Sequence, residues 1–218
     1  MDCGHPSRCS VRSTPTVAAL SQHACVTIDY DTGQTQLRPV LDQHTRAVAI
    51  IVRLADTAPS WGTIEVPATL PEPVPVPLGW RLGAIPAVIL ILTVRTVGAH
   101  HRRFARLVRL ACCGRALPPA THRQARHAVR AVRSAAHALP TRWACLEQST
   151  AAAVLLAIAG RRAEWRHGVA TDPVRLHAWI ADRTGAPVEE PADTALYTST
   201  YTPDGPGQPR PQWRTAGE

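Results

Sequence analysis

The residues of this sequence best suited to chemistry are a thiol, an imidazole and a group of carboxylates in its last third. Cys145 opens the run C-L-E-Q-S-T-A-A-A-V-L-L-A-I-A-G, in which alanine content, helical spacing of apolar residues and the closing Gly160 predict a buried helix. The thiol would lie in the first turn, where the helix macrodipole favours thiolate over thiol. The alternative is a small residue packed at a helix start, since free cysteine is among the most buried residue types.

The imidazole stands in the alternating run V-R-L-H-A-W-I-A-D, which predicts a strand with His177 and Trp179 on one face. The next residues, R-T-G, are typical of a turn, and A-P-V-E-E is typical of a second strand, so we predict a hairpin. Its return would bring Glu189, Glu190 and Asp193 near His177, where one carboxylate could orient the imidazole as in a catalytic triad. The alternative is a surface hairpin whose histidine is incidental.

Three sequence blocks within residues 125–202 carry a resemblance to a known family: C-L-E-Q-S, G-V-A-T-D-P-V-R-L-H-A-W-I and P-V-E-E-P-A-D-T-A-L-Y. They resemble the lasso-peptide biosynthesis B or B2 proteins, transglutaminase-like cysteine peptidases that remove leader peptides, as in the processing of microcin J25. That family has a Cys-Leu-x-Arg-Ser helix start, a Gly-Val turn, a His-Ala-Trp-Val-Glu strand and a Gly-Glu-Pro-Ala-Asp-Thr segment. The resemblance implies a lasso precursor peptide as substrate and an asparagine-synthetase-like macrolactam synthetase as co-worker.

Carried over by motif, the resemblance implies Cys145 as nucleophile and His177 as base. It places the acid on Glu190, with Glu189 and Asp193 as alternatives, because the hairpin tip is one residue longer here than is usual in the family. The mechanism it implies is thiolate attack at the leader–core junction, formation of a thioester with the leader, and hydrolysis of that thioester.

The sequence departs from the family pattern at two further positions. Gln148 stands where the family has arginine, and Ala181 stands where it has glutamate, with Asp182 next to it. These changes bear on substrate preference and on the identity of the acid. The backbone N–H of Cys145 would meet the oxyanion, and Trp143 and Gln148 are the neighbouring side chains expected at the oxyanion or substrate site.

Composition limits the function classes further. All 24 basic residues are arginine and the formal charge is +8, yet the sequence shows no helix-turn-helix or zinc-finger pattern, so we expect no nucleic-acid partner. An acidic peptide or a membrane surface suits this charge better. The six cysteines come without a secretory signal, which predicts free thiols in the cytoplasm. Cys3, His5 and Cys9 do not match structural zinc spacing, and we expect neither metal nor cofactor.

The predicted fold class is α+β, with a small hairpin–helix module before a papain- or transglutaminase-like domain in which helices precede an antiparallel sheet. Five segments are expected: a disordered N-terminus (1–20), the small module (21–66), a proline-rich linker (67–80), the peptidase domain (81–203) and a disordered tail (204–218).

The small module is predicted as a hairpin over residues 25–37, turning at D-T-G, followed by a helix over residues 41–55. This order weakly resembles the start of a PqqD-like leader-recognition domain, which in the family is either fused to the peptidase or supplied as a separate protein. The alternative is a small capping subdomain.

The most apolar run, residues 84–94, contains Pro86 and is too short to span a membrane. It predicts either a buried core helix or a shallow membrane-associated helix supported by the basic segment 100–109. Amphipathic helices follow over residues 104–111 and 122–139, the second carrying histidines on its solvent face: His122, His127 and His137. The expected function is a leader peptidase located in the cytoplasm or at the cytoplasmic face of the membrane; the alternatives are a transglutaminase-like acyltransferase or amidase, and a non-catalytic leader-binding adaptor.

Overall fold

The computed structural model describes residues 16–21, 24–39, 41–54, 75–171 and 173–207. Most of the two ends that are predicted to be disordered, the greater part of the predicted linker, and Cys3, His5 and Cys9 lie outside these residues. The described elements in chain order are β1 (Thr16–Leu20), β2 (Cys25–Asp29), β3 (Thr35–Arg38), α1 (Gln43–Val48), β4 (Ile50–Arg53), α2 (Leu78–Thr96), α3 (Arg103–Ala111), α4 (His122–His137), α5 (Cys145–Ile158), β5 (Glu164–Thr171), β6 (Val174–Ala181), β7 (Thr198–Thr202) and β8 (Gly205–Pro206).

The first four strands form one sheet in the order β3-β2-β1-β4. Strands β2 and β3 pair antiparallel across the D-T-G turn, and β4 runs parallel to β1. Two expectations are wrong here. Residues 16–20 form a strand instead of a disordered terminus, and the predicted helix over 41–55 ends at Val48, because the β-branched run that follows pairs with β1.

The four longer helices, α2 to α5, pack together through small side chains, which let helix backbones approach closely. Helix α2 buries Ala84, Ala87, Val88 and Ile91, and its main contacts are with α4 and α5. It begins at Leu78 and continues through its internal proline, so the linker predicted to reach residue 80 ends earlier. Among the described residues, α2 is the one helix whose length and composition alone would let it cross a membrane.

The second sheet has the order β6-β5-β7-β8. The predicted hairpin is wrong in one respect, because β6 pairs along its length with the preceding strand β5, in which Gly168 and Val169 lie mid-strand instead of in a turn. Residues 186–190 make only a short contact with β6, in which Val188 N–H donates to the carbonyl of Ile180. Pro187 has no N–H to donate, and Glu189 has φ 57°, so the ladder cannot continue. Residues 205–206, expected in the tail, form β8.

The two sheets share one apolar core, and a buried polar network joins them. The hydroxyl of Tyr30, just after β2, lies 2.7 Å from Nδ1 of His167 and 2.8 Å from Oγ1 of Thr200, which donates to the carbonyl of His167. All three bonds are satisfied if His167 donates from Nδ1 to Tyr30 and Tyr30 donates to Thr200. Burial lowers the pKa of His167 to about 4, so this contribution to stability is present above its ordinary value of 6.5 and is lost as pH falls towards 4.

Replacing Tyr30 by phenylalanine keeps the ring and leaves both buried partners without their bond. We expect Tyr30→Phe to lower the free energy of unfolding by about 1–3 kcal/mol, measured by urea denaturation at neutral pH. The matched control is Tyr201→Phe, because the Tyr201 ring packs 4.4 Å from that of Tyr30 but its hydroxyl makes no hydrogen bond to the described residues. Equal losses in the two variants would contradict a role for the network.

Candidate active site

Cys145 is the first residue of α5, as the alanine-rich run predicts. The residue before it, Ala144, has no polar side chain that could cap the helix, so no cap competes with a ligand for the backbone N–H of Cys145. Burial alone would raise the pKa of the Cys145 thiol. Hydrogen bonds from His177 and from the backbone amides of Ala178 and Leu146, together with the charge of His177, hold this pKa below its usual value. The thiol is therefore poised as a thiolate.

His177 lies on β6, and its Nε2 is 2.8 Å from Oε2 of Glu190. This bond leaves Nδ1 as the nitrogen available to Cys145. Burial would lower the pKa of His177, but its bonds to Cys145 and Glu190 and the charges of both partners raise it to about 9. At neutral pH the imidazolium form of His177 therefore predominates, and its charge favours the thiolate form of Cys145.

Of the three carboxylates predicted near His177, the structure brings Glu190 to the imidazole. Glu189 points to α4, where its two carboxylate oxygens each lie 2.9 Å from an arginine Nε, on Arg126 and Arg130. Asp193 lies in a short 3-10 helix (Ala192–Leu196) and pairs with an arginine of β6 at 3.7 Å. Neither of these two contacts the imidazole, so the geometry leaves Glu190 as its acid partner.

Three arginines on one face of α4 hold the acid segment in place; we call Arg126, Arg130 and Arg133 the arginine clamp. Besides the two bonds to Glu189, the Arg133 guanidinium donates to the carbonyl oxygen of Glu189 and, at 2.7 Å, to Oε1 of Glu190. Glu190 thus shares its carboxylate between Arg133 and His177. Glu189 is the only non-glycine among the described residues with a positive φ, and the clamp holds it there.

Aromatic rings and a glycine fix the orientation of the imidazole. The Trp179 ring stacks on His177 with an interplanar angle of 10°, and the Tyr197 ring lies 5.3 Å from it on the open side. Opposite His177 on β5 is Gly168. A Cβ there would come within 2.5 Å of the Thr198 carbonyl oxygen and 2.9 Å of the Trp179 ring, so only glycine allows this close packing.

A small cavity of about 40 Å³ opens beside the thiol, lined by Cys145, His177, Glu190 and Gln148. A larger one, of about 230 Å³, adjoins it through Gln148 and Arg133 and is lined on its far side by Trp143. Of the two residues expected at the oxyanion or substrate site, Gln148 borders the space next to the thiol and Trp143 lines the adjoining cavity. The first cavity has room for one or two water molecules, enough for a water that attacks a thioester.

Sequence reasoning missed the arginine clamp and the ring of Tyr197. The three arginines recur at spacings of four and three, which predicts one helix face, but this pattern does not indicate which residues that face contacts. Another buried carboxylate, Glu147 in the first turn of α5, pairs with Arg103 of α3 and lies 3.9 Å from Arg95 of α2. The arginines thus neutralise the acidic side chains around the thiol.

Removing the charge of Glu190 tests its effect on the thiol. We expect Glu190→Gln to raise the apparent pKa of Cys145, read from the pH dependence of iodoacetamide alkylation, by about one to two units, because the imidazolium loses its partner. Asp193→Asn is the matched control and should leave the alkylation profile unchanged. If both variants behave alike, Glu190 does not support the ion pair.

The raised pKa of His177 can be observed directly. We expect its ring proton to titrate near pH 9 in the NMR spectrum of the wild-type protein. In Cys145→Ala the titration should move down towards the ordinary value of 6.5, since one of the two groups that raise the pKa is gone. The stabilisation from the charged imidazolium is complete below pH 6.5 and is lost as pH rises through about 9. A wild-type titration near 6.5 would contradict the ion pair.

Comparison with known proteins gives one match. Residues 87–202, more than half of the chain, match the profile of the transglutaminase-like superfamily, and this span contains Cys145, His177 and Glu190. No curated protein and no solved structure matches the chain. Members of this superfamily are in general cysteine-dependent enzymes, and their mixture of helices and antiparallel sheet agrees with the α+β fold described above. The chain belongs to the transglutaminase-like superfamily.

Proposed function

We propose that this protein is a cysteine leader peptidase of lasso-peptide biosynthesis, which cleaves a precursor peptide at its leader–core junction. The observation that carries the proposal is the chain of contacts from Cys145 through His177 to Glu190, which supplies a thiolate, an imidazolium and an orienting acid. The three sequence blocks that resemble the B or B2 proteins contain these same residues and support the choice of substrate.

In the first half-reaction, the Cys145 thiolate attacks the carbonyl carbon of the scissile peptide bond. The uncapped backbone N–H at the start of α5 stabilises the oxyanion, with the Gln148 amide bordering the same cavity. The His177 imidazolium gives its proton to the amine of the core peptide as the C–N bond breaks. The leader is left as a thioester on Cys145.

In the second half-reaction, neutral His177 takes a proton from a water molecule, whose oxygen attacks the thioester carbonyl. The C–S bond breaks, and the leader leaves with a new carboxylate. The Cys145 thiolate and the His177 imidazolium are restored together. Glu190 holds the imidazole tautomer and orientation through both steps, and the arginine clamp fixes Glu190.

The protein would work with three partners. These are the precursor peptide, a PqqD-like protein where the chain does not itself recognise the leader, and an asparagine-synthetase-like enzyme that closes the macrolactam. Within the chain, the segment 21–66 would bind the leader. Its strand β3 is an edge strand of the first sheet with mostly exposed side chains, a surface on which an extended peptide can add as a further strand. Free cysteines suit a reducing cytoplasm.

A second candidate function is acyl transfer or amide hydrolysis by the same thioester chemistry, which family membership favours equally. These functions differ in the molecule that accepts the acyl group from the thioester, which is water for a peptidase or amidase and an amine for an acyltransferase. A non-catalytic, leader-binding adaptor would need neither the thiolate nor the imidazolium.

The test is mass spectrometry of a precursor peptide encoded beside this gene, incubated with wild type and with Cys145→Ala, each with and without the partner proteins. We expect one cut at the leader–core bond and a loss of at least about a thousandfold in the variant, the scale on which removal of a nucleophile acts. Equal cleavage by both proteins would refute the Cys145 mechanism. Leader binding without turnover would favour the adaptor, and a leader–amine conjugate would favour acyl transfer.

A further inference from the structure

Helix α2 has apolar residues all around its axis, with Arg81 and Arg95 as its two charged residues, and the described part of the chain covers only one side of it. Its buried face packs against α4 and α5 through small and branched residues, and only 22% of its most apolar stretch is buried. A helix that is apolar all round is normally enclosed by protein or lipid. The exposure of apolar side chains on the other side of α2 is therefore unusual for a helix of this composition.

The uncovered side forms one continuous stripe, which we call the α2 stripe: Leu78, Leu82, Ile85 and Ile89. These residues recur at spacings of four, three and four, which places them on a single helix face. Their side chains are between 51% and 67% exposed. Val97, one residue past the helix end, is 59% exposed and extends the apolar surface. Contiguous exposed apolar surface of this kind marks an interaction site in a soluble protein.

The charge around the stripe identifies the class of partner. Between residues 73 and 146 the chain has twelve arginines and not one acidic residue. Five of these arginines pair with the carboxylates around the thiol, which leaves seven that do not. Arg81 is exposed within the stripe's own span, and the exposed residues His100, His101 and Arg102 follow the C-terminal end of α2. An apolar face bordered by cations suits a surface that is apolar inside and anionic outside, which is the headgroup region of an anionic membrane.

We propose that the α2 stripe docks this protein on an anionic lipid surface, with α2 lying in the plane of the membrane. The helix does not span the bilayer in this arrangement, because its other face stays packed against α4 and α5. Leucine and isoleucine side chains enter the acyl boundary, and the arginines meet the phosphate groups. This inference does not depend on the peptidase proposal, since it uses neither Cys145 nor its partners.

The test is co-sedimentation of the full chain with vesicles, once of pure phosphatidylcholine and once of mixed phosphatidylcholine and phosphatidylglycerol. We expect binding to the mixed vesicles, weakened by added salt, and little binding to the neutral ones. The variant Leu82→Gln/Ile89→Gln should reduce the partition onto mixed vesicles by about tenfold or more.

The matched control is Leu37→Gln/Ile51→Gln, which changes two exposed apolar residues of the first sheet, 60% and 43% exposed. It should bind like the wild type, and circular dichroism should show both variants folded. Light scattering in the absence of lipid measures self-association. No binding to mixed vesicles, equal losses in the two double variants, or a wild-type dimer that Leu82→Gln/Ile89→Gln converts to monomer would each overturn the proposal.

Discussion

The candidate site depends on one electrostatic arrangement, the pairing of two consecutive carboxylates with the arginine clamp of α4. Glu189 and Glu190 are largely buried, with side chains only 14% and 8% exposed. Two neighbouring charges removed from water would cost several kcal/mol without partners of opposite sign. Guanidinium groups supply the partners in a geometry that matches carboxylate oxygens. Because Glu190 is fixed from behind, it can present its other oxygen to His177, and His177 can in turn keep the thiol ionised.

The parts of the site that could be predicted are those encoded locally. Alanine content and Gly160 locate the helix that begins at Cys145, and strand alternation locates His177 and Trp179 on one face. In the sequence, only the family resemblance favours Glu190 as the acid over Glu189 and Asp193, because three carboxylates within five residues look equivalent. Glu189 and Glu190 are distinguished by their partners on α4, more than fifty residues earlier, and no local pattern carries such pairings.

The errors in the fold have a common physical origin, which is tertiary pairing. The run A-I-I-V-R continues a helical pattern, yet its β-branched residues form a strand once β1 offers a partner. The sequence predicts the wrong partner for β6 because A-P-V-E-E follows directly after a turn, whereas β5 contains a glycine and several charges that weaken its strand pattern. The contacts between the first sheet and the second could not be predicted from the sequence for the same reason. Tyr30 is an ordinary residue near a turn until His167 and Thr200 enclose its hydroxyl.

Because the arginine clamp holds Glu190, the position of this acid does not depend on the length of the turn after β6. If a strand register held Glu190, one extra residue in the turn after β6 would swing it to the opposite face of the sheet. Here the carboxylates need only reach α4, and the left-handed backbone at Glu189 directs the two neighbouring side chains to different partners. Residues added to the turn before Ala186 would leave the contacts from Val188 onwards in place. The length of this turn and the position of the acid can therefore vary separately.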